Sequence, residues 1–187
     1  MRAPSRFPDA CAVQLPAVPS GNLPAPQMGE EKRTVEISFW SAAAQALVDG
    51  RADDIKALYP NMQIDHYPFT AAPLAKDAKA QAEMAQRYAP ARALGNIVSP
   101  AKRAVQDLVA EGPGTLTPAP AISSGSGKRV PGGWSVAITR PLPKGLGLGG
   151  RTQVAFAVWN GSEADVGARK MRTVWIPLSI GKAQAGK

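Results

Sequence analysis

Thr34-Val35-Glu36-Ile37-Ser38-Phe39-Trp40 alternates, with β-branched and aromatic residues on one face. A period of two marks a half-buried strand, so Val35, Ile37 and Phe39 are predicted to face inward. The same pattern recurs outward from this stretch. Ala12-Val13-Gln14-Leu15 alternates on the N-terminal side, and Gly133-Trp134-Ser135-Val136-Ala137-Ile138-Thr139-Arg140 on the C-terminal side. Val154-Ala155-Phe156-Ala157-Val158-Trp159 is an apolar run of strand length, and residues 171–180 read as a last strand. A Ser/Gly turn at 123–127 and a Gly-rich loop at 145–150 separate these pieces. Short strands between turn signals predict a mainly β fold, an antiparallel β-sandwich.

Two stretches break the pattern. Residues 73–88 are rich in Ala, Lys, Glu and Gln, open with Pro73 and precede Pro90, which predicts the longer of two helical insertions. Arg103-Ala104-Val105-Gln106-Asp107-Leu108-Val109-Ala110, followed by Gly112 and Pro113, predicts a short one. Residues 1–181 are expected to form a single domain, with 182–187 as a flexible tail.

Composition narrows the chemistry. The 187 residues are 44% hydrophobic and 19% charged, which excludes a chain disordered throughout. There are 18 glycines and 18 prolines, a balance that favours loops and short strands over a helical bundle. His66 is the one histidine and Cys11 the one cysteine. These counts exclude a Cys/His zinc site, an iron–sulfur cluster held by this chain alone and an internal disulfide. A Ser-His-Asp triad would have to use His66, beside Asp65, and no acid/base pair stands out. The Gly145–Gly150 loop precedes a strand and lacks a following Lys-Ser/Thr pair, so it reads as a hairpin loop rather than a phosphate cradle.

The net charge is +8, but the basic residues form no stripe, the longest group being Arg169-Lys170-Met171-Arg172. No nucleic-acid motif accompanies them, and docking on an acidic protein is the other use of such a surface. No apolar run is long enough to span a bilayer. Met1-Arg2-Ala3-Pro4-Ser5-Arg6-Phe7-Pro8 lacks the apolar core of a secretory signal. A signal upstream, export with a partner and a cytoplasmic location all remain open.

Among five methionines, Met28 follows Pro16, Pro19, Pro24 and Pro26 and sits just before the first long strand. Such a residue fills a packing gap, or presents a thioether to a soft metal from a stiff loop.

The order of short motifs along the chain carries a resemblance. Phe7-Pro8-Asp9-Ala10 and Gln27-Met28-Gly29 lead into Val35-Glu36-Ile37 with Trp40. Tyr59-Pro60-Asn61-Met62-Gln63-Ile64-Asp65, Gly95-Asn96 and Val105 to Thr117 follow. The last block is Val154-Ala155-Phe156-Ala157-Val158-Trp159-Asn160-Gly161, with Gly167, Arg169-Lys170 and Trp175. This series resembles the haem b-binding γ subunits of the ethylbenzene dehydrogenase, dimethyl sulfide dehydrogenase, selenate reductase and chlorate reductase group, and more distantly of nitrite oxidoreductase. The resemblance covers nearly the whole chain.

It implies a β-sandwich holding one haem b between a Met and a Lys. The Met maps to Met28, with Met62 in reserve. The Lys maps to Lys170, five positions before Trp175; the neighbouring Arg169 cannot offer a neutral nitrogen. It further implies a non-catalytic electron-transfer subunit in the periplasm. Its partners would be an iron–sulfur β subunit and a molybdopterin-containing α subunit, with a soluble cytochrome or similar carrier. The chain starts almost at the family's first motif, so a truncated start or partner-dependent export is expected. The competing expectation is a non-redox β-sandwich that binds a carbohydrate or small ligand on an aromatic platform drawn from Trp40, Trp134, Trp159 and Trp175.

Overall fold

A computed structural model describes residues 7–19, 22–51, 59–62, 68–90 and 103–181. His66, the Gly95-Asn96 motif and the tail 182–187 lie outside the described residues. The chain divides into two compact units, residues 51–100 and residues 2–50 together with 101–187.

The larger unit holds β1 (Ala10–Pro16), β2 (Val35–Ser41), α1 (Ala42–Val48), β3 (Val105–Ala110), β4 (Thr117–Pro118), β5 (Ser124–Val130), β6 (Gly133–Thr139), β7 (Arg151–Trp159), β8 (Met171–Arg172) and β9 (Ile176–Ser179). Seven of these strands form one antiparallel sheet in the order β4-β3-β2-β1-β7-β8, with β9 also paired to β7. Strands β5 and β6 form a separate antiparallel hairpin. The fold is thus mainly β, as the alternation predicts.

The hairpin covers one face of the sheet. Trp40, Ala104 and Val105 are buried there against Cys11, Ala42, Trp134, Val136 and Ile138. Trp40 and Trp134 meet edge to face with ring centroids 5.1 Å apart. Gly127 on β5 lies flat against the Trp40 indole, and a Cβ at that position would fall inside the ring. Gln45 Oε1 accepts from both Trp40 Nε1 (3.2 Å) and Gly127 N (2.8 Å), which ties hairpin, sheet and α1 together. Further along, Asp107 accepts from Ile122 N and Ser123 N at 2.8 Å each and from the hydroxyls of Ser38 and Ser123. Arg140 pairs with Glu36 and donates to Ser38 Oγ. Strand β2 is therefore buried on both faces, not only on the Val35/Ile37/Phe39 side.

Val105–Ala110 is a strand, where a short helix over 103–110 is predicted. Val105 to Ala110 pair in register with Trp40 to Val35. The alternation of Val105, Asp107 and Val109 with Gln106, Leu108 and Ala110 serves both sheet faces, and that pairing overrides a spacing compatible with a helix. The short helix is instead α1, whose N-cap Ser41 accepts from Ala44 N at 3.2 Å. The longer helix, α2 (Ala78–Tyr88), belongs to the unit 51–100 and starts later than Pro73. A 3-10 turn at Leu74–Lys76 precedes it, and Asp77 caps it by accepting from Lys79 N and Ala80 N. Among the described residues, no helix is long and apolar enough to cross a membrane.

The Gly-rich loop joins β6 to β7 and so crosses from the hairpin to the main sheet; it is not a hairpin loop, because those strands do not pair. The last strand is broken in two. Opposite the three steps from Val154 to Ala157, the chain from Arg172 to Ile176 takes four. One extra residue is absorbed as a bulge, anchored by Thr173 N donating to Phe156 O (2.9 Å) and Phe156 N donating to Thr173 Oγ1 (3.0 Å).

Candidate functional site

The sheet face away from the hairpin gathers the residues of interest. Cross-strand register places Ala12 between Phe39 and Ala157, and Ala10 beside Trp159. Ala12, Val35, Ile37 and Ala110 are buried on this face, and Met28, Phe39, Leu108, Ala157, Trp159 and Trp175 pack on them, half-buried.

Met28 is held by its backbone. It lies at φ +73°, in the left-handed region, which costs a non-glycine residue about 1–2 kcal/mol. Its carbonyl accepts from Gly112 N at 2.9 Å, and the adjoining turn closes with Gly29 N donating to Ala25 O at 2.9 Å. The loop is laid across the sheet by Gln14 Nε2 donating to Pro26 O (3.2 Å) and Trp175 Nε1 donating to Pro24 O (2.7 Å). Gly29 is required here. At φ +84°, a Cβ would stand 2.8 Å from Ala110 O and 2.9 Å from Arg33 O. Strain held by so many contacts is the kind found where a side chain must be presented in one place.

Lys170 reaches the same face from the other side. Its Nζ lies 5.3 Å from the centroid of the Trp159 ring and donates to Gly167 O at 3.1 Å. Burial lowers the amine's pKa from its ordinary value, and the nearby Arg172 cation lowers it further. Arg169 points elsewhere, pairing with Asp165 at 3.3 Å. Lys170 and Trp175 are five residues apart, which in an unbroken strand would set them on opposite faces. The extra residue between Arg172 and Ile176 turns Trp175 back to the face where Lys170 lies.

Met28 and Lys170 are therefore brought to one apolar face. Met62, the reserve, is 47% exposed at a turn in the unit 51–100. Cys11 lies on the hairpin face, half-buried, where burial pushes its thiol pKa up. Trp40, Trp134 and Trp159 line one concavity at the end of the sheet, and Trp175 lies outside it. Trp40 and Trp134 pack together under the hairpin, while Trp159 and Trp175 belong to the opposite face. The sequence offers no sign of the Trp159–Lys170 contact beyond the position of Trp159 at the end of an apolar strand.

A porphyrin carrying iron needs an apolar wall and donors facing it. Phe39, Leu108, Ala157, Trp159 and Trp175 supply the wall. A thioether on a fixed loop and an amine shifted toward its neutral form supply a donor set that fits iron. Among the described residues, no group of three His, Cys, Asp or Glu side chains is placed to hold a metal ion.

A concavity of about 1080 Å³ opens at the end of the sheet between the hairpin and β7, lined by Trp134, Val136, Val158, Met171 and Arg129 among others. Asp9 sits in its wall. Burial raises the Asp9 pKa, but hydrogen bonds from Gly161 N, Trp134 Nε1 and Arg129, together with the Arg129 charge, outweigh this and hold the carboxyl below its usual value. No protein-family model matches this chain, and no curated protein matches it either.

Proposed function

We propose that this chain is an electron-transfer subunit that holds one haem b between Met28 and Lys170. The observation that carries the proposal is that both residues lie on the same apolar sheet face, Met28 packed on Val35 and Ala110 and Lys170 over Trp159. The motif resemblance supports the same pair.

When bound, the group would supply one-electron exchange at iron. The chain's own residues determine how. The Met28 thioether would favour reduced iron and so raise the potential. Lys170 would have to bind as a neutral amine, and its burial together with the positive charge of Arg172 shifts it in that direction. Phe39, Leu108, Trp159 and Trp175 would keep water from the ring. With Met28 and Lys170 both holding the iron, the group would keep no open position for substrate, which supports a role in carrying electrons rather than in catalysis. The resemblance supports a periplasmic complex with an iron–sulfur β subunit and a molybdopterin-containing α subunit, exchanging electrons with a soluble cytochrome or similar carrier.

The test is optical. Purified protein supplied with haem b is expected to give a Soret band and a low-spin, six-coordinate spectrum. Met28→Leu keeps the volume of the site and Lys170→Ala removes the amine; each is expected to convert the haem to high spin or release it. A wild-type protein that takes up no haem sinks the proposal, and an unchanged low-spin spectrum in either variant removes that residue from the ligand pair.

A further inference from the structure

Lysine is a poor choice for a fixed donor. Four rotatable bonds separate its nitrogen from the backbone, and ordering them costs rotamer entropy. Lys170 adds a second difficulty, because it precedes β8 on a loop and has no strand pairing of its own. The nitrogen is nonetheless held by two contacts that share one residue. Lys170 Nζ donates to Gly167 O at 3.1 Å. Trp159 Nε1 donates to the same oxygen, also at 3.1 Å. The Trp159 ring closes the triangle, with its centroid 5.3 Å from Nζ.

The triangle stands on a rigid base. Trp159 ends β7 and meets Phe39 edge to face, centroids 5.3 Å apart at 88°. The loop that carries Gly167 is clamped back onto the end of β7. Asn160 N donates to Asp165 Oδ2 (3.0 Å), Asp165 N donates to Asn160 O (3.1 Å), and Arg169 N donates to Val166 O (3.0 Å). The sheet thus fixes Trp159, Trp159 fixes the Gly167 carbonyl, and the two together fix the amine.

We infer that Trp159 is the positioning residue for Lys170, its indole face and its hold on the Gly167 carbonyl setting where the amine stands. This rests on the reading of Lys170 as a haem ligand, but the contact itself exists without haem and is tested without it. Trp159→Phe keeps an aromatic face and loses the N–H; Trp159→Leu loses both. A cation held over an aromatic ring gains enough that its loss should reduce occupancy of the held position roughly two- to five-fold.

The first arm uses haem-free protein labelled with 13C at lysine Cε. The Lys170 Hε resonances, assigned by their loss in Lys170→Arg, are expected to be shifted upfield by the indole ring current. They should move toward the values of a free lysine in Trp159→Leu and partly so in Trp159→Phe. The second arm adds haem b and reads spin state. The high-spin fraction is expected to rise from wild type through Trp159→Phe to Trp159→Leu, while strand content by circular dichroism stays unchanged. Lys170 signals at free-lysine values in the wild-type haem-free protein overturn the inference. So does a folded Trp159→Leu protein whose Lys170 signals keep the wild-type shift, or whose haem stays fully low-spin. Failure of the wild-type protein to bind haem overturns the ligand reading instead, and the first arm still decides the role of Trp159.

Discussion

Asp107 shows how this chain treats a buried charge. The carboxylate lies between sheet and hairpin and accepts from two backbone N–H groups and from the hydroxyls of Ser38 and Ser123. Burial alone would raise its pKa; the hydrogen bonds from Ser123, Ile122 and Ser38 outweigh it, so the folded pKa lies below the usual value. A depressed carboxylate stabilises the fold above its unfolded pKa, about 3.9, and that stabilisation disappears as pH falls through the folded value. The midpoint of thermal unfolding is expected to hold near neutrality and to fall in acid below about pH 4. Asp107→Asn is expected to cost about 1–3 kcal/mol at pH 7, because the amide cannot accept from every donor, and to flatten the acid limb. Melting curves against pH for both proteins check this. An unchanged acid limb in Asp107→Asn would assign the acid response to other carboxylates.

The contact between Gly127 and Trp40 decides the packing of the elements. The hairpin can lie on the sheet because β5 offers backbone and no side chain where the indole sits. Gly127→Ala is expected to push β5 off Trp40 at a cost of about 1–3 kcal/mol, read as a lowered thermal midpoint. Haem uptake on the opposite face should persist below the new midpoint. At this scale much of the architecture was legible. The alternation in β2, β6 and β7 depends on local sequence, and so did the Ala-rich helix. Residues 103–110 were misread because Ala104, Val105 and Leu108 suit one helix face as well as two sheet faces, and only β2 as a partner decides between them. The bulge before Trp175 was not legible at all. Which face a strand residue takes after a bulge depends on the register of β7, some twenty residues earlier. Met28 could be singled out from its proline-rich loop, whereas its left-handed backbone comes from Gly112 and Gly29, which the sequence does not place beside it.

For the whole molecule, the charge of +8 gives a surface suited to acidic partners, and long-range attraction of that kind weakens with salt. If the chain exchanges electrons as proposed, exchange with an acidic carrier is expected to slow several-fold between low and physiological ionic strength, as stopped-flow mixing would show. An exchange rate that ignores salt would place the docking energy in apolar contacts instead.

The sheet order has one more consequence, and it concerns the moment of synthesis. Strand β1 precedes every other described strand, yet one of its two neighbours is β7, with Ala10 set against Trp159. Throughout translation of the intervening chain, β1 has an unpaired edge. Among the described strands, the sheet cannot close around β1 until β7 has been made, so long-range pairing sets its folding.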